Sequence, residues 1–521
     1  MHRRTVIRGL ASVAALPLAV NGAPAWAQSP GRWLRLESPN FVVFSTADEG
    51  KGRDELVALE RFNALLARLM PRKERSPLKL VVYVANSNRD FERTNPGMGK
   101  GIAGFYDSSI EQVRAVTSPD RAVERQRDMK RHIRAMDARV ILFHEYAHHF
   151  VAANSRRSYP RWYNEGFAEF IGTANFTDQG ILIGMFTANR AIWLTAGDWL
   201  GIDKFLMGGN LTGEETSMFY AQSWLATHYL FMNPERAAGF DRYCVALQDG
   251  GDPIGAFESS FGISPKAFDK ELRDYKRKSI QVLQMPEEKV DYASTIKTER
   301  LGVAADEILM PLSYLRAVPP KQYAAETVER IRREARKHEG DPFALSALAL
   351  AELWYGDPVQ ARTHIDALLK MDANNPETQH LSGLCDLRAG YKAGDAGLVT
   401  RAQSAFAAAH RLDGSRAVSL FRYVECLLFI EKSVNAHMID VLVAAYRIAP
   451  QIDALALVTA QALIQHQRWD EAFFILRPLA ASVHGGRTSE RAIVYLEAAR
   501  AKQGATFTFF AAADKMELDF E

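Results

Sequence analysis

Two histidines four residues apart, with a glutamate 17 residues beyond the second (165 − 148 = 17), constrain this chain more than any other feature. They stand in His144-Glu145-Tyr146-Ala147-His148 and in Trp162-Tyr163-Asn164-Glu165-Gly166-Phe167-Ala168-Glu169. The run Asp137 to Val151 is apolar at Val140, Ile141, Phe143, Ala147 and Phe150 and lacks Gly and Pro, which predicts a buried helix rather than a strand. At about 100° per residue, four steps bring the second imidazole to within about 40° of the first, so both can bind one ion. Glu145 lies on the flank of that face, placed to reach a water on the ion without itself being a ligand.

Two histidines leave a tetrahedral zinc short of a third protein ligand, and an open fourth position is what makes such a site catalytic. Glu165 is the candidate third ligand. It falls on a second predicted helix, Arg161 to Gly172, with Trp162, Phe167, Ala168, Phe170 and Ile171 as apolar contacts. Glu169, one turn after Glu165, can accept the free ring N–H of a ligating histidine and so fix its tautomer. His149 points about 100° away from His148 and reads as a structural neighbour rather than a ligand.

These residues resemble the gluzincin proteases. The segment Trp162 to Ala168 is similar to the Asn-Glu-Gly-Phe-Ala element of aminopeptidase N-type enzymes, whose glutamate is the third zinc ligand, and Glu169 is similar to the acidic residue that supports a zinc histidine in the thermolysin group. The chain as a whole resembles the peptidase MA-like bacterial proteins, in which this core is joined to tetratricopeptide repeats. The motif match covers Val140 to Gly172; the remainder is a resemblance of organisation. A Gly-x-Met-Glu-Asn strand, which holds a substrate's free N-terminus in the aminopeptidases, is missing, so that specificity does not carry over.

Further along, Ser217 to Phe231 reads as a helix. The resemblance implies a tyrosine near the start of such a helix that donates to the developing oxyanion, and Tyr220 matches it; a buried core tyrosine is the competing reading. His228, two turns on, is the next candidate for that role. Before the catalytic helix runs a basic stretch, Arg121, Arg125, Arg127, Lys130, Arg131, Arg134 and Arg139, interrupted by Glu124, Asp128 and Asp137. It reads as a solvated face, and a net charge of +2 is too small for a dedicated nucleic-acid binder.

Arg3 and Arg4, an apolar stretch from Leu10 to Val20 broken by Pro17, and Ala25-Trp26-Ala27 predict a signal peptide over residues 1–27. Export through the Sec route or the twin-arginine route fits equally, and the expected location is the periplasm. The apolar stretch is too short for a membrane span. Three cysteines, Cys244, Cys385 and Cys426, are too few for a disulfide framework, so the fold must stand on a core drawn from its 47% hydrophobic residues.

The expected fold is an α+β gluzincin-like catalytic domain, a small mixed sheet plus a helical half, followed by an all-α tetratricopeptide-like solenoid. Residues 28–130 would form the mixed α/β part, with strands at Trp33 to Glu37, Phe41 to Phe44, Leu78 to Val84 and within Gly101 to Val116, and a helix from Asp54 to Leu69. Residues 131–285 would form the helical zinc-binding part and 286–325 a connector punctuated by Pro286, Pro311, Pro319 and Pro320. Over 326–503, the endings Leu-Leu-Lys-Met-Asp, Ala-Ala-His-Arg-Leu-Asp and Ala-Ala-Tyr-Arg-Ile-Ala-Pro recur near the 34-residue tetratricopeptide period. Residues 504–521 are unassigned. The expectation is an exported zinc metallopeptidase acting on a protein or peptide, with a protein partner docked in the groove of the repeats and no transmembrane segment. The alternative is a periplasmic peptide-binding adaptor whose zinc core is vestigial.

Overall fold

Short alternating apolar runs at the N-terminal end pair into a sheet, and longer helical runs cover it. The computed structural model describes residues 30–70, 76–98, 102–118, 133–134, 136–155, 157–209, 211–278, 280–481 and 486–503; the expected signal peptide, most of the basic stretch and the C-terminal tail lie outside them. In chain order come β1 (Pro30–Glu37), β2 (Phe41–Ser45), α1 (Glu49–Leu69), β3 (Leu80–Val84), α2 (Asn88–Thr94), β4 (Gly104–Ser108), β5 (Val113–Thr117) and β6 (Ile133–Arg134). Then follow α3 (Ala138–Asn154), α4 (Arg161–Gly172), β7 (Asn175–Thr177), β8 (Gly180–Ile183), β9 (Phe186–Thr187), α5 (Ala188–Ala196), α6 (Ile202–Met207) and α7 (Gly213–Phe231). Next are α8 (Pro234–Gln248), α9 (Pro253–Phe261), α10 (Pro265–Tyr275), β10 (Leu283–Met285), β11 (Lys297–Gly302) and α11 (Ala305–Arg316).

The main sheet has the order β11, β1, β2, β3, β5, β4. Its centre is parallel, β2 on β3 and β3 on β5, with α1 and α2 in the connections, while β11, β1 and β4 are antiparallel additions. Parallel pairing needs such crossovers, which is why helices alternate with strands here. Helix α1 begins a turn earlier than the sequence suggests. Asp48 accepts from the Lys51 N–H, and Gly52 packs where a Cβ would sit 3.1 Å from Leu36 Cδ1, so Gly50 and Gly52 lie inside the helix.

The segment expected to be a connector carries structure of its own. β11 completes the sheet beside β1, and α11 buries Ala305, Leu309 and Met310 with Trp33, Tyr83 and Phe91 of the sheet unit. Pro311 sits inside α11 rather than ending it. This difference arises because a proline signal is local, whereas β11 is held by backbone pairing to a strand some 260 residues earlier.

From Lys321 onward every described element is a helix: α12 (Lys321–Ala335), α13 (Pro342–Tyr355), α14 (Pro358–Met371), α15 (Pro376–Ala393), α16 (Ala396–Leu412), α17 (Ala417–Glu431), α18 (Ala436–Ile448), α19 (Asp453–Gln465), α20 (Trp469–Ala480) and α21 (Gly486–Arg500). Alternate helices start at 342, 376, 417 and 453, steps of 34 (376 − 342), 41 (417 − 376) and 36 (453 − 417), a degenerate tetratricopeptide-like spacing. Short turns set with Asp or Asn caps, such as Asp341, Asp357, Asn375, Asp395 and Asn435, fold each helix back on the last, and α13, α15 and α17 lie side by side as one inner layer.

Helix α17 of that layer is not open to solvent along its length. One continuous set of buried apolar side chains runs from Leu34 and Phe41 in the sheet, through Phe143 and Trp162, to Phe421, Leu442 and Leu476 in the helical half. Among the described residues, no helix is long and apolar enough to cross a membrane.

Candidate metal centre

Helix α3 is capped by Asp137, whose side chain accepts from the Val140 N–H, and its register stacks His144 above His148. Helix α4 packs against α3 and delivers Glu165 to the same point. The three donor atoms form a small triangle: His144 Nε2 to His148 Nε2 3.1 Å, and each of these nitrogens to Glu165 Oε2 3.4 Å. A tetrahedral zinc with ligands at about 2.0–2.1 Å has donor–donor edges of about 3.3 Å. The triangle therefore fits one such ion. Glu165 Oε2 is buried with no close hydrogen-bond partner beyond the two histidine nitrogens 3.4 Å away, a costly state for a carboxylate that a cation at this point would relieve.

The charges point the same way. Burial pushes the Glu165 carboxyl up, but the charges and hydrogen bonds of His148 and His144 outweigh it and hold it well below the usual range. Burial likewise lowers His144, yet the hydrogen bond to Glu165 and the charges of Glu169, Glu145 and Glu165 raise it to about 9. Three carboxylates around two imidazoles demand positive charge, as a proton or as a metal ion.

Glu169 Oε1 lies 3.4 Å from His144 Nδ1, on the side of the ring away from the triangle. Its stronger partner is Arg190 of α5, which grips it with two bonds of 2.9 and 2.7 Å. The same guanidinium lies over the ring of Tyr220 at 5.0 Å. Arg190 is the site residue that sequence reading missed. Nothing local marks it, since its role depends on α5 lying across α7 and α4.

Tyr220 is in the third turn of α7 rather than at its start, because Thr212 and Glu215 form a capping box that begins the helix at Gly213. Its ring centre lies 6.2 Å from that of His144. Burial, then the charges of Glu165, Glu169 and Glu145, push its hydroxyl far above the ordinary phenol value, so it stays protonated and available as a donor. Glu145 is half-buried beside this group, close enough for its charge to act on both His144 and Tyr220.

His228 is placed elsewhere. Its Nε2 donates to the Gln281 carbonyl at 2.8 Å and its Nδ1 is 2.9 Å from the Tyr275 hydroxyl, so the two nitrogens tie α7 to the end of α10 and to the chain just after it. Burial depresses it to about 4, as a neutral structural histidine. His149 stacks on Tyr146 and lies with Nδ1 3.1 Å from the Tyr106 hydroxyl, linking α3 to β4. Of the basic stretch, Arg139 pairs with Glu55 at 2.6 Å.

Two glycines make the assembly possible. A Cβ on Gly172 would come 3.2 Å from the His144 backbone nitrogen, and one on Gly166 only 2.2 Å from both the Ser223 carbonyl oxygen and Thr227 Oγ1. The α3–α4 and α4–α7 crossings close on these positions. Beside α3, strand β4 ends the sheet; its inner edge pairs with β5 and its outer edge with no other described strand.

No family model and no curated protein matches this chain. Among solved structures it is similar to the crystal structure of yeast Tom70, at 13% sequence identity and a TM-score of 0.26, over 63% of this chain and 72% of that one. So loose a likeness carries no argument about either half of the chain.

Proposed function

We propose that this chain is a zinc-dependent peptidase of the gluzincin type, acting after export, in which the half-buried His144 and His148 and the buried Glu165 hold the metal with an acid, Glu145, on their flank. The observation that carries the reading is the donor spacing of 3.1 to 3.4 Å around an otherwise unbonded Glu165 oxygen. His144, His148 and Glu165 would hold the zinc, which would supply the Lewis acidity to polarise a scissile carbonyl and acidify a water. Glu145 takes the proton of the attacking water and passes it to the leaving amine. Tyr220 donates its hydroxyl hydrogen to the carbonyl oxygen as charge develops there. Arg190 and Glu169 hold the His144 ring in one orientation. The outer edge of β4, which pairs with no other described strand, receives the peptide as an added strand, so recognition rests on backbone hydrogen bonds.

The adaptor alternative relies on a free inner face of the repeats. Glu111 of the sheet unit already engages His380 of α15 and Arg422 of α17, so a partner would have to bind beside those contacts or on the outer helices. Glu145→Gln decides between the readings: the variant should keep about one zinc per chain and lose hydrolysis of an unstructured peptide that the wild type cleaves and a chelator blocks. Hydrolysis at the wild-type rate in that variant refutes the mechanism, and a wild type that binds zinc but cleaves nothing favours the adaptor.

A further inference from the structure

The turn between β4 and β5 does not end in solvent. Glu111, buried in that turn, places Oε2 3.2 Å from His380 Nε2 on α15 and Oε1 2.9 Å from Arg422 Nη2 on α17. Both partners are themselves fixed: His380 Nδ1 lies 3.1 Å from Ser419 Oγ, and Arg422 Nη1 donates to Glu425 at 2.8 Å. On the other flank, the Ser109 hydroxyl donates to the Arg316 carbonyl at 2.9 Å, while Arg316 and Arg416 both bind Glu377 of α15, at 2.7 and 2.6 Å. The turn is tight, with the Ser109 N–H donating to the Gln112 carbonyl at 2.9 Å, so a shift of Glu111 moves both strands.

Apolar contact alone would let helices slide over the sheet unit, because it is non-directional. A buried carboxylate clamped by an imidazole and a guanidinium has one register, and setting a register is the best-attested use of such groups. The strand so fixed is β4, which also reaches α3 through Tyr106 and His149.

We propose that Glu111 is a positioning residue through which the helical half sets the place of β4, the strand that receives substrate in the peptidase reading on which this inference rests. The inner layer of the repeats then acts as an internal brace for substrate binding, not as a docking groove for another protein.

The test uses the full chain with Glu111→Gln, which keeps the volume and removes the charge. Amide hydrogen exchange at residues 104–108 should rise by about tenfold or more, while exchange in α3 and the zinc content stay as in the wild type. Peptide KM should rise by about tenfold with kcat within about twofold, since chemistry at the zinc is untouched. Unchanged exchange in β4, or a rise spread evenly over the whole chain, overturns the proposal. Should Glu111→Gln fail to fold, Glu111→Asp, which keeps the charge and shortens the reach, is judged by the same criteria. Loosening of β4 in a protein with no peptidase activity would uphold the brace and refute the peptidase reading, so the two fail separately.

Discussion

Replacing Gly166 by Ala sets two physical effects against each other. On helix propensity alone, Ala in the middle of α4 should stabilise by about 1 kcal/mol. The tertiary structure opposes this: the new Cβ would lie 2.2 Å from the Ser223 carbonyl oxygen and from Thr227 Oγ1, whereas ordinary contact begins near 3.4 Å, a shortfall of 3.4 − 2.2 = 1.2 Å. One obstacle is main chain and the other a fully buried β-branched side chain, so neither can swing aside. Overpacking of this kind costs about 3 kcal/mol, the upper end of its usual range, which leaves a net loss of about 2 kcal/mol. Because α4 must move away from α7 by the same distance, Glu165, the residue just before it, also shifts. Zinc affinity should fall by about 10- to 100-fold, as it does when the support of a ligand is disturbed. Calorimetry of the metal-free protein and zinc titration against a competing chelator measure the two effects. A Gly166→Ala protein as stable as the wild type, with unchanged zinc affinity, would refute the close-crossing argument and leave propensity as the whole effect.

Tyr220→Phe should lower kcat by about a hundredfold with zinc content unchanged, since it removes a single donor to the oxyanion; near-normal kcat with lost stability would mark a core tyrosine instead. A chain ending at Pro286 should be insoluble or bind hydrophobic dyes, because it loses β11 from the sheet edge and the α11 residues that cover Trp33; a soluble, protease-resistant fragment would contradict the shared core. Although burial pushes the Glu111 carboxyl up from 4.5, His380 and Arg422 hold it down to about 2. Its folded value is thus depressed, so its contribution is complete above pH 4.5 and is lost as pH falls toward 2. Thermal midpoints should drop less steeply over that window in Glu111→Gln than in the wild type. Burial raises all three cysteine thiols, Cys244 to about 12, so none should react with a thiol reagent until the chain unfolds.

Helix α4 was legible to the residue, Arg161 to Gly172, because its apolar spacing is regular and Pro160 precedes it. The spacing of His144 and His148 likewise determined that two imidazoles share a face, since four residues in a helix leave no other outcome. Local sequence also marked the repeat boundaries, where Asp or Asn caps precede Pro at the first helical position. Other features depended on contacts between residues far apart in the chain. Arg190 reaches Glu169 only once α5 is laid across its neighbours, and His228 turned from a candidate donor into a strut because Tyr275 and Gln281 fold back onto it. The expected connector became a sheet edge, and part of the expected groove became an interface, through β11 pairing with β1 and Glu111 meeting Arg422, 311 residues apart. Periodicity and capping act within a few turns of chain, so a sequence displays them directly. Which surfaces then bury one another is decided by the summed packing and charge of distant segments, and that sum exists only in the folded molecule.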